Sequence, residues 1–232
     1  MDWDEYALTY PQIDDEEAVP PVLHRHMSER TGSALDVGCG DGVLLSVLHD
    51  AHGTGWNLTG FEVSQQRATA ARLRGHQVVV QESGTVPLEP ASFDLVISTH
   101  VIEHAPDDRA YARELCRMVR PGGFVYVETP VKLAGAWYFR RNPQAGWVLD
   151  PTHVREYRSP AAVNAVLMSA GLDVVDEDLT QIRFPLAAAE LLCRRILKMP
   201  RPPAAQRPVG IRATQVPIPR YRQQAVLAQR VA

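Results

Sequence analysis

Cysteine is scarce in this 232-residue chain: the three present, Cys39, Cys116 and Cys193, lie too far apart for a CxxC pair or a disulfide framework. A dithiol redox centre and a cysteine-ligated zinc module are thereby disfavoured. Long apolar runs are missing as well, since no segment nears the roughly 18 uninterrupted apolar residues that a spanning helix needs. The opening MDWDEYALTY is acidic where a secretory signal would be basic and then apolar, so a cytoplasmic address is expected. Nor does one sign of charge dominate: 24 bases against 27 acids leave a formal net charge of -3, which speaks against a nucleic-acid partner. No internal repeat is present. What remains, at 45% hydrophobic and 22% charged residues, is an ordinary globular composition, and the length suits one α/β domain with an elaboration.

The charge is unevenly spread. Residues 183–232 carry 10 bases against the single acid Glu190, so the rest of the chain is strongly acidic. Such a segment either docks on its own acidic body or meets an anionic partner. The chain reads as a single domain over 1–232, with an N-terminal arm to residue 30 that ends in a short helix around Val22 to Arg30. A basic, proline-rich insertion is expected over 183–222, capping the site ahead of a last strand, Ala225 to Val231. Within it, 184–198 combines Leu191, Leu192, Ile196 and Leu197 with Arg194, Arg195 and Lys198, which suits a membrane surface as well as packing on the domain.

Between arm and insertion the pattern alternates. Apolar runs at Ala34 to Val37, Asn57 to Glu62, Gln77 to Val80, Phe93 to Ser98, Gly123 to Thr129 and Leu172 to Leu179 predict strands. Helices are predicted over Gly42 to Asp50, Ser64 to Arg74, Asp107 to Val119 and Pro160 to Ala170. This order implies right-handed βαβ units: a Rossmann-like, seven-stranded, mostly parallel sheet with helices on both faces.

The first strand runs into Asp36-Val37-Gly38-Cys39-Gly40-Asp41-Gly42 just before a helix. Glycines there permit a tight turn and close approach of a ligand to the backbone, and the helix N-terminus offers free N–H groups. Glu62 ends the second strand 20 residues after Gly42, where a carboxylate can accept both ribose hydroxyls of a nucleoside. The spacing is GxGxG rather than the GxGxxG of nicotinamide enzymes, which counts against an oxidoreductase.

These residues resemble the class I S-adenosylmethionine-dependent methyltransferases, in particular the group acting on small molecules, lipids and sugars. The resemblance spans roughly residues 33–180 and rests on ALDVGCGDG (34–42), GFEVS (60–64), VPLEPASFDLVISTHVIEH (86–104) and RMVRPGGFVYVETP (117–130). It implies S-adenosylmethionine as cofactor, with the glycine loop (Gly38, Cys39, Gly40, Gly42) under its methionine part, Glu62 on the ribose and Asp36 at the loop or the cofactor amine. Val63, Thr99 and His100 would complete the pocket. Glu82, beside Ser83, stands where the family usually has an aspartate near the adenine. Tyr6 and Tyr10 resemble an aromatic arm closing over the cofactor, and equally suit a core anchor.

His100 to His104 also match HxxEH, a zinc-peptidase signature. That signature needs an uninterrupted helix, whereas this stretch follows a buried strand and meets Pro106, so no metal is expected. His100 instead falls beside the reacting sulfonium. The segment Asp150 to Tyr157 resembles an H-x-x-x-Y element of relatives in which the histidine faces substrate; His153 is accordingly a candidate base, or else a residue that packs and positions the loop. Trp137, Tyr138, Phe139 and Trp147 offer stacking faces, and with Tyr157 they are the candidate acceptor contacts, core packing being the alternative. The expected activity is O-methylation of a sugar, a glycan or glycolipid, or a natural-product hydroxyl. N- or C-methylation and non-catalytic nucleoside binding stay open.

Overall fold

The computed structural model describes residues 3–4, 18–81, 85–136, 140–143, 146–185 and 215–231. After a first helix, α1 (Pro21–Ser28), the chain alternates β1 (Gly32–Val37), α2 (Val43–His52), β2 (Trp56–Glu62), α3 (Gln65–Leu73) and β3 (Gln77–Val80). It continues through β4 (Phe93–Thr99), α4 (Asp108–Met118), β5 (Val119–Lys132), the short pair β6 (Arg140–Asn142) and β7 (Gly146–Val148), α5 (Pro160–Met168), β8 (Leu172–Pro185) and β9 (Gln215–Arg230).

Seven strands form one sheet in the order β3-β2-β1-β4-β5-β9-β8. The β3, β2, β1, β4 and β5 pairings are parallel, and β9 is antiparallel to both β5 and β8. Alternation of side chains explains why both faces are covered. Leu35, Val96, Val125 and Val127 bury against Leu115 and Met118 of α4 and Val163 and Leu167 of α5, whereas Ala34, Leu95, Ile97 and Tyr126 bury against Val22, Leu23 and Met27 of α1 and Leu44 and Leu48 of α2. Three helices begin on side-chain caps: Ser64 accepts from Arg67 N at 3.2 Å, Asp107 from Ala110 N at 2.9 Å and Ser159 from Ala162 N at 3.3 Å.

Strands β8 and β9 run further than the sequence suggests. Expected to stop at Leu179 and to start at Ala225, they extend to Pro185 and back to Gln215, pairing Arg183 with Pro217 and Phe184 with Val216. The outer ends of the expected insertion, 183–185 and 215–222, are therefore strand, and the stretch between them, with the apolar and basic 186–198, lies outside the described residues. Pro217 and Pro219 hid this extension, because proline donates nothing to a ladder and argues against a strand where it occurs. Among the described residues no helix is long and apolar enough to cross a membrane.

Candidate active site

The carboxyl ends of β1, β2 and β4 meet where a parallel sheet collects ligands. The loop after β1 turns through Gly38, Gly40 and Gly42 at φ of 83°, 55° and 79°, all left-handed. It is sewn to β2 by N–H groups of Gly38 and Cys39 that donate to the Phe61 carbonyl at 2.8 and 3.1 Å. Glu62 is 6% exposed and holds the loop from the other side: Oε2 accepts from Gly40 N at 2.8 Å, and Oε1 from Val63 N and Ser64 N, both at 2.9 Å. A carboxylate offers about four lone-pair directions, so these three donors leave room for one more. Gly42 precedes α2 without a side-chain cap, leaving the first N–H groups of that helix for a ligand. These residues fit a nucleoside-bearing, amino-acid-ended cofactor. Asp36 is buried at the end of β1, beside them.

Two of the three glycines have a further reason to be there. A Cβ on Gly38 would stand 2.4 Å from Val101 Cγ2, and one on Gly42 would stand 2.9 Å from Ala71 Cβ in α3. Gly38 thus lets the loops after β1 and β4 touch, and brings the residue after His100 against the glycine loop. The Cys39 side chain points the other way, into a cluster with Leu45, Ala68, Ala71 and Val78, and burial pushes its thiol far above the ordinary range. It is inert, and only its backbone borders the loop.

Beyond β4, His100 adopts φ 55°, a strained conformation for a residue with a side chain, fixed by its N–H on the Glu128 carbonyl at 2.9 Å. Its side chain is half exposed, with Nδ1 3.5 Å from Glu103 Oε1. Glu103 is 1% exposed, and Thr129 Oγ1 donates to its Oε2 at 2.9 Å. Burial works against the charge of Glu103, but His100 beside it, followed by His104 and His153, outweighs burial and holds the carboxyl down at about 2. His104 donates through Nδ1 to Thr152, and its ring meets that of His153 edge-on at 4.9 Å. Burial lowers its pKa below the usual imidazole range.

The segment around His153 is bolted to this loop. Val154 N donates to the Glu103 carbonyl at 3.1 Å, and Arg155 donates to the carbonyls of Ile102, Ala105 and Pro106. His153 itself is 4% exposed: Nδ1 donates to Glu156 Oε1 at 3.0 Å and Nε2 faces Glu103 Oε1 at 3.9 Å. Both nitrogens are directed at carboxylates inside the protein, the environment of a positioning residue. Tyr157 is also internal, its hydroxyl donating to Asp108 Oδ2 at 3.0 Å and its carbonyl accepting from Lys132 N at 2.8 Å. Trp147, 45% exposed on β7, keeps an open face.

Thr99 ends β4 opposite Glu128, and Val63 packs on the core beneath Glu62. Tyr6, Tyr10, Glu82, Ser83, Trp137, Tyr138 and Phe139 lie outside the described residues. From the arm, Asp4 accepts from Ser64 Oγ at 2.5 Å and from Gln66 N at 3.2 Å, while the Trp3 ring meets His104 at 6.0 Å. Thr129, Arg155 and Glu156 have no motif that marks them as part of the site; Glu103 falls in the HxxEH pattern, which places this loop beside the cofactor without revealing that its carboxylate is buried between His100 and His153. Residues 101–105 are in fact turns, with His104 N on Val101 O and Ala105 N on Ile102 O.

A methyltransferase domain family matches residues 35–127. The ubiquinone biosynthesis O-methyltransferase of Idiomarina loihiensis is 31% identical over 129 residues, 51% of this chain and 52% of the relative, so the chain spans about half the length of that relative. The enzyme of the same description from Pseudomonas aeruginosa is 29% identical over 200 residues, 75% of this chain and 78% of the relative. Among solved structures, the YcgJ protein of Bacillus subtilis shares the fold, with a TM-score of 0.63 at 14% identity over 91% of this chain and 97% of that one. The domain match lies over the very strands that carry the glycine loop, Glu62 and His100, and over that stretch the chain is similar to the class I S-adenosylmethionine-dependent methyltransferases.

Proposed function

We propose that this protein methylates a hydroxyl group of a small molecule, with a sugar, a lipid-linked glycan or a natural-product scaffold as the acceptor class. The observation that carries the reading is the half-exposed imidazole of His100, held in a strained conformation at the end of β4 and backed by a buried, ionised Glu103. S-adenosylmethionine, when bound, supplies an electrophilic methyl group on a positively charged sulfur. Gly38, Gly40, Gly42 and Glu62 would hold it, with Asp36 nearby.

The chain's own residues do three things. The glycine loop and Glu62 fix the cofactor's position, and alignment of reactants is a large part of what a transferase contributes. His100 accepts the acceptor's hydroxyl proton as the methyl bond forms; Glu103 favours the imidazolium that results. His153, buried between Glu103 and Glu156 and hydrogen-bonded to the latter, does not meet the acceptor. Trp147 offers its exposed face to the acceptor. The O-methyltransferase description of the relatives points the same way.

Acceptors bearing hydroxyls, amines or activated carbons should be screened with labelled S-adenosylmethionine, and the best pursued with His100→Asn, a residue that tolerates the left-handed backbone. Turnover should fall roughly 100-fold or more with cofactor affinity near wild type, the usual contribution of a general base. A loss of less than a few-fold would place the base elsewhere, and labelling confined to amines would remove the hydroxyl reading.

A further inference from the structure

We propose that Glu103, His104 and His153 form a binding site for a divalent transition-metal ion of the zinc type, between the loop after β4 and the segment before α5. One ligand-capable atom from each of the three lies within 4.8 Å of the others, with Glu103 and His153 buried and His104 half-buried. Oε1 of Glu103 is buried and makes no hydrogen bond among the described residues. Leaving a buried carboxylate oxygen so costs free energy unless something takes it up. Its nearest imidazoles, His100 Nδ1 at 3.5 Å and His153 Nε2 at 3.9 Å, face it at longer range than a well-formed hydrogen bond. Two ligands on one tetrahedral zinc ion stand about 3.4 Å apart, given metal–ligand distances near 2.0–2.1 Å. Small rotations of the two rings would bring the three atoms to that spacing.

The surroundings of the three side chains support the same reading. Metal-ligating histidines almost always give their other ring N–H to a carboxylate or a carbonyl, and ligating carboxylates are themselves hydrogen-bonded. Here His153 Nδ1 is on Glu156 Oε1 at 3.0 Å, His104 Nδ1 is on the Thr152 carbonyl at 3.3 Å and its hydroxyl at 3.1 Å, and Glu103 Oε2 is on Thr129 Oγ1 at 2.9 Å. Both imidazoles therefore carry their proton on Nδ1, so Nε2 is the metal-binding nitrogen of each. Glu156 is in turn tied down, accepting Leu149 N at 3.0 Å on the same oxygen.

Two imidazoles and one carboxylate suit zinc, cobalt or iron(II) better than magnesium or calcium, which prefer oxygen alone. Three protein ligands leave a fourth position open, and the half-exposed His100 beside Glu103 Oε1 marks the side from which an ion would enter. This is not the peptidase arrangement, in which His100 and His104 would share a helix. The inference concerns binding and holds whichever atom the enzyme methylates.

The whole chain, stripped with a chelator and dialysed, should be titrated with Zn2+ by calorimetry and with Co2+ by absorption spectroscopy. One equivalent should bind with micromolar or tighter affinity, and Co2+ should give the intense visible bands of a four-coordinate nitrogen and oxygen site. His104→Gln and His153→Gln, each checked for folding by circular dichroism, should weaken binding at least tenfold, and Glu156→Gln should weaken it 10- to 100-fold as an outer partner. His24 and His52, whose rings stand 5.3 Å apart near the surface, are the control, and changing both to alanine should leave the affinity unaltered. No binding by the folded wild type at millimolar Zn2+ overturns the proposal without reference to any variant. Loss of binding in the His24/His52 variant instead of the cluster variants overturns it equally.

Discussion

Gly38 carries two separable burdens, and a double-mutant cycle can weigh them. Its φ of 83° is left-handed, and replacing glycine by alanine in that region costs about 1–2 kcal/mol in backbone strain. The new Cβ would also stand 2.4 Å from Val101 Cγ2, roughly 1 Å inside ordinary contact, and relief of such overpacking costs typically about 1–3 kcal/mol. Gly38→Ala should therefore lose about 2–5 kcal/mol. Val101 Cβ lies at 3.6 Å, an ordinary contact, so Val101→Ala removes the collision while leaving the strain. The double variant should accordingly be less destabilised than the sum of the singles, by about 1–3 kcal/mol of coupling. Gly171 supplies the reference: it has the same φ of 83° with nothing within 4 Å of its Cβ position, so Gly171→Ala reports strain alone. Urea unfolding followed by circular dichroism, with unchanged m values, gives all four numbers. If Gly38→Ala costs no more than Gly171→Ala, or if the cycle shows no coupling, the contact between the two loops is not what requires glycine.

Other outcomes follow from the same structure. Glu62→Ala removes the acceptor of three backbone N–H groups and should weaken S-adenosylmethionine binding at least tenfold by calorimetry; unchanged affinity would detach Glu62 from the cofactor. His26 is 5% exposed, and burial, with a smaller push from Arg30, lowers it to about 4. Because its folded pKa lies below the unfolded value near 6.5, the folded state binds fewer protons between the two. The stability from a neutral His26 is thus complete above about pH 6.5 and is lost as pH falls toward 4, by about 2 kcal/mol at pH 5. In urea, His26→Phe should flatten that slope relative to wild type, and equal slopes would contradict the assignment. Tyr157→Phe should cost about 1 kcal/mol through its bond to Asp108 while leaving the acceptor KM unchanged; a KM raised more than threefold would restore Tyr157 to the acceptor site.

The sheet was legible where period and punctuation agree. Ala34 to Gly42 announces a buried strand, a turn and a helix within nine residues, and Ser64, Asp107 and Ser159 mark helix starts that do cap. The placement of β9 between β5 and β8 was not legible, because pairing order depends on distant partners. Within the site, the glycine loop and Glu62 could be read because their chemistry is local. Glu103, His104, His153 and Glu156 could not be read as a group, since two loops far apart in sequence bring them together. The H-x-x-x-Y pattern leaves His153 open between an acceptor-facing and a packing role and suggests Tyr157 as an acceptor contact; both turn inward, because Arg155 between them clamps the loop after β4.

The position of β9 also bears on how the chain assembles at the ribosome. Among the described strands, β8 has no ladder partner but β9, which begins 30 residues after β8 ends. A nascent chain can pair β1 through β5 as they emerge, but β8 must wait, with one edge of β5 uncovered, until β9 arrives to close both. Unpaired edges are templates for association with other chains, and the longer the closure in sequence, the slower it is. The six prolines between residues 200 and 219 fall within the stretch that must be made before closure, which is therefore itself poor in ladder donors.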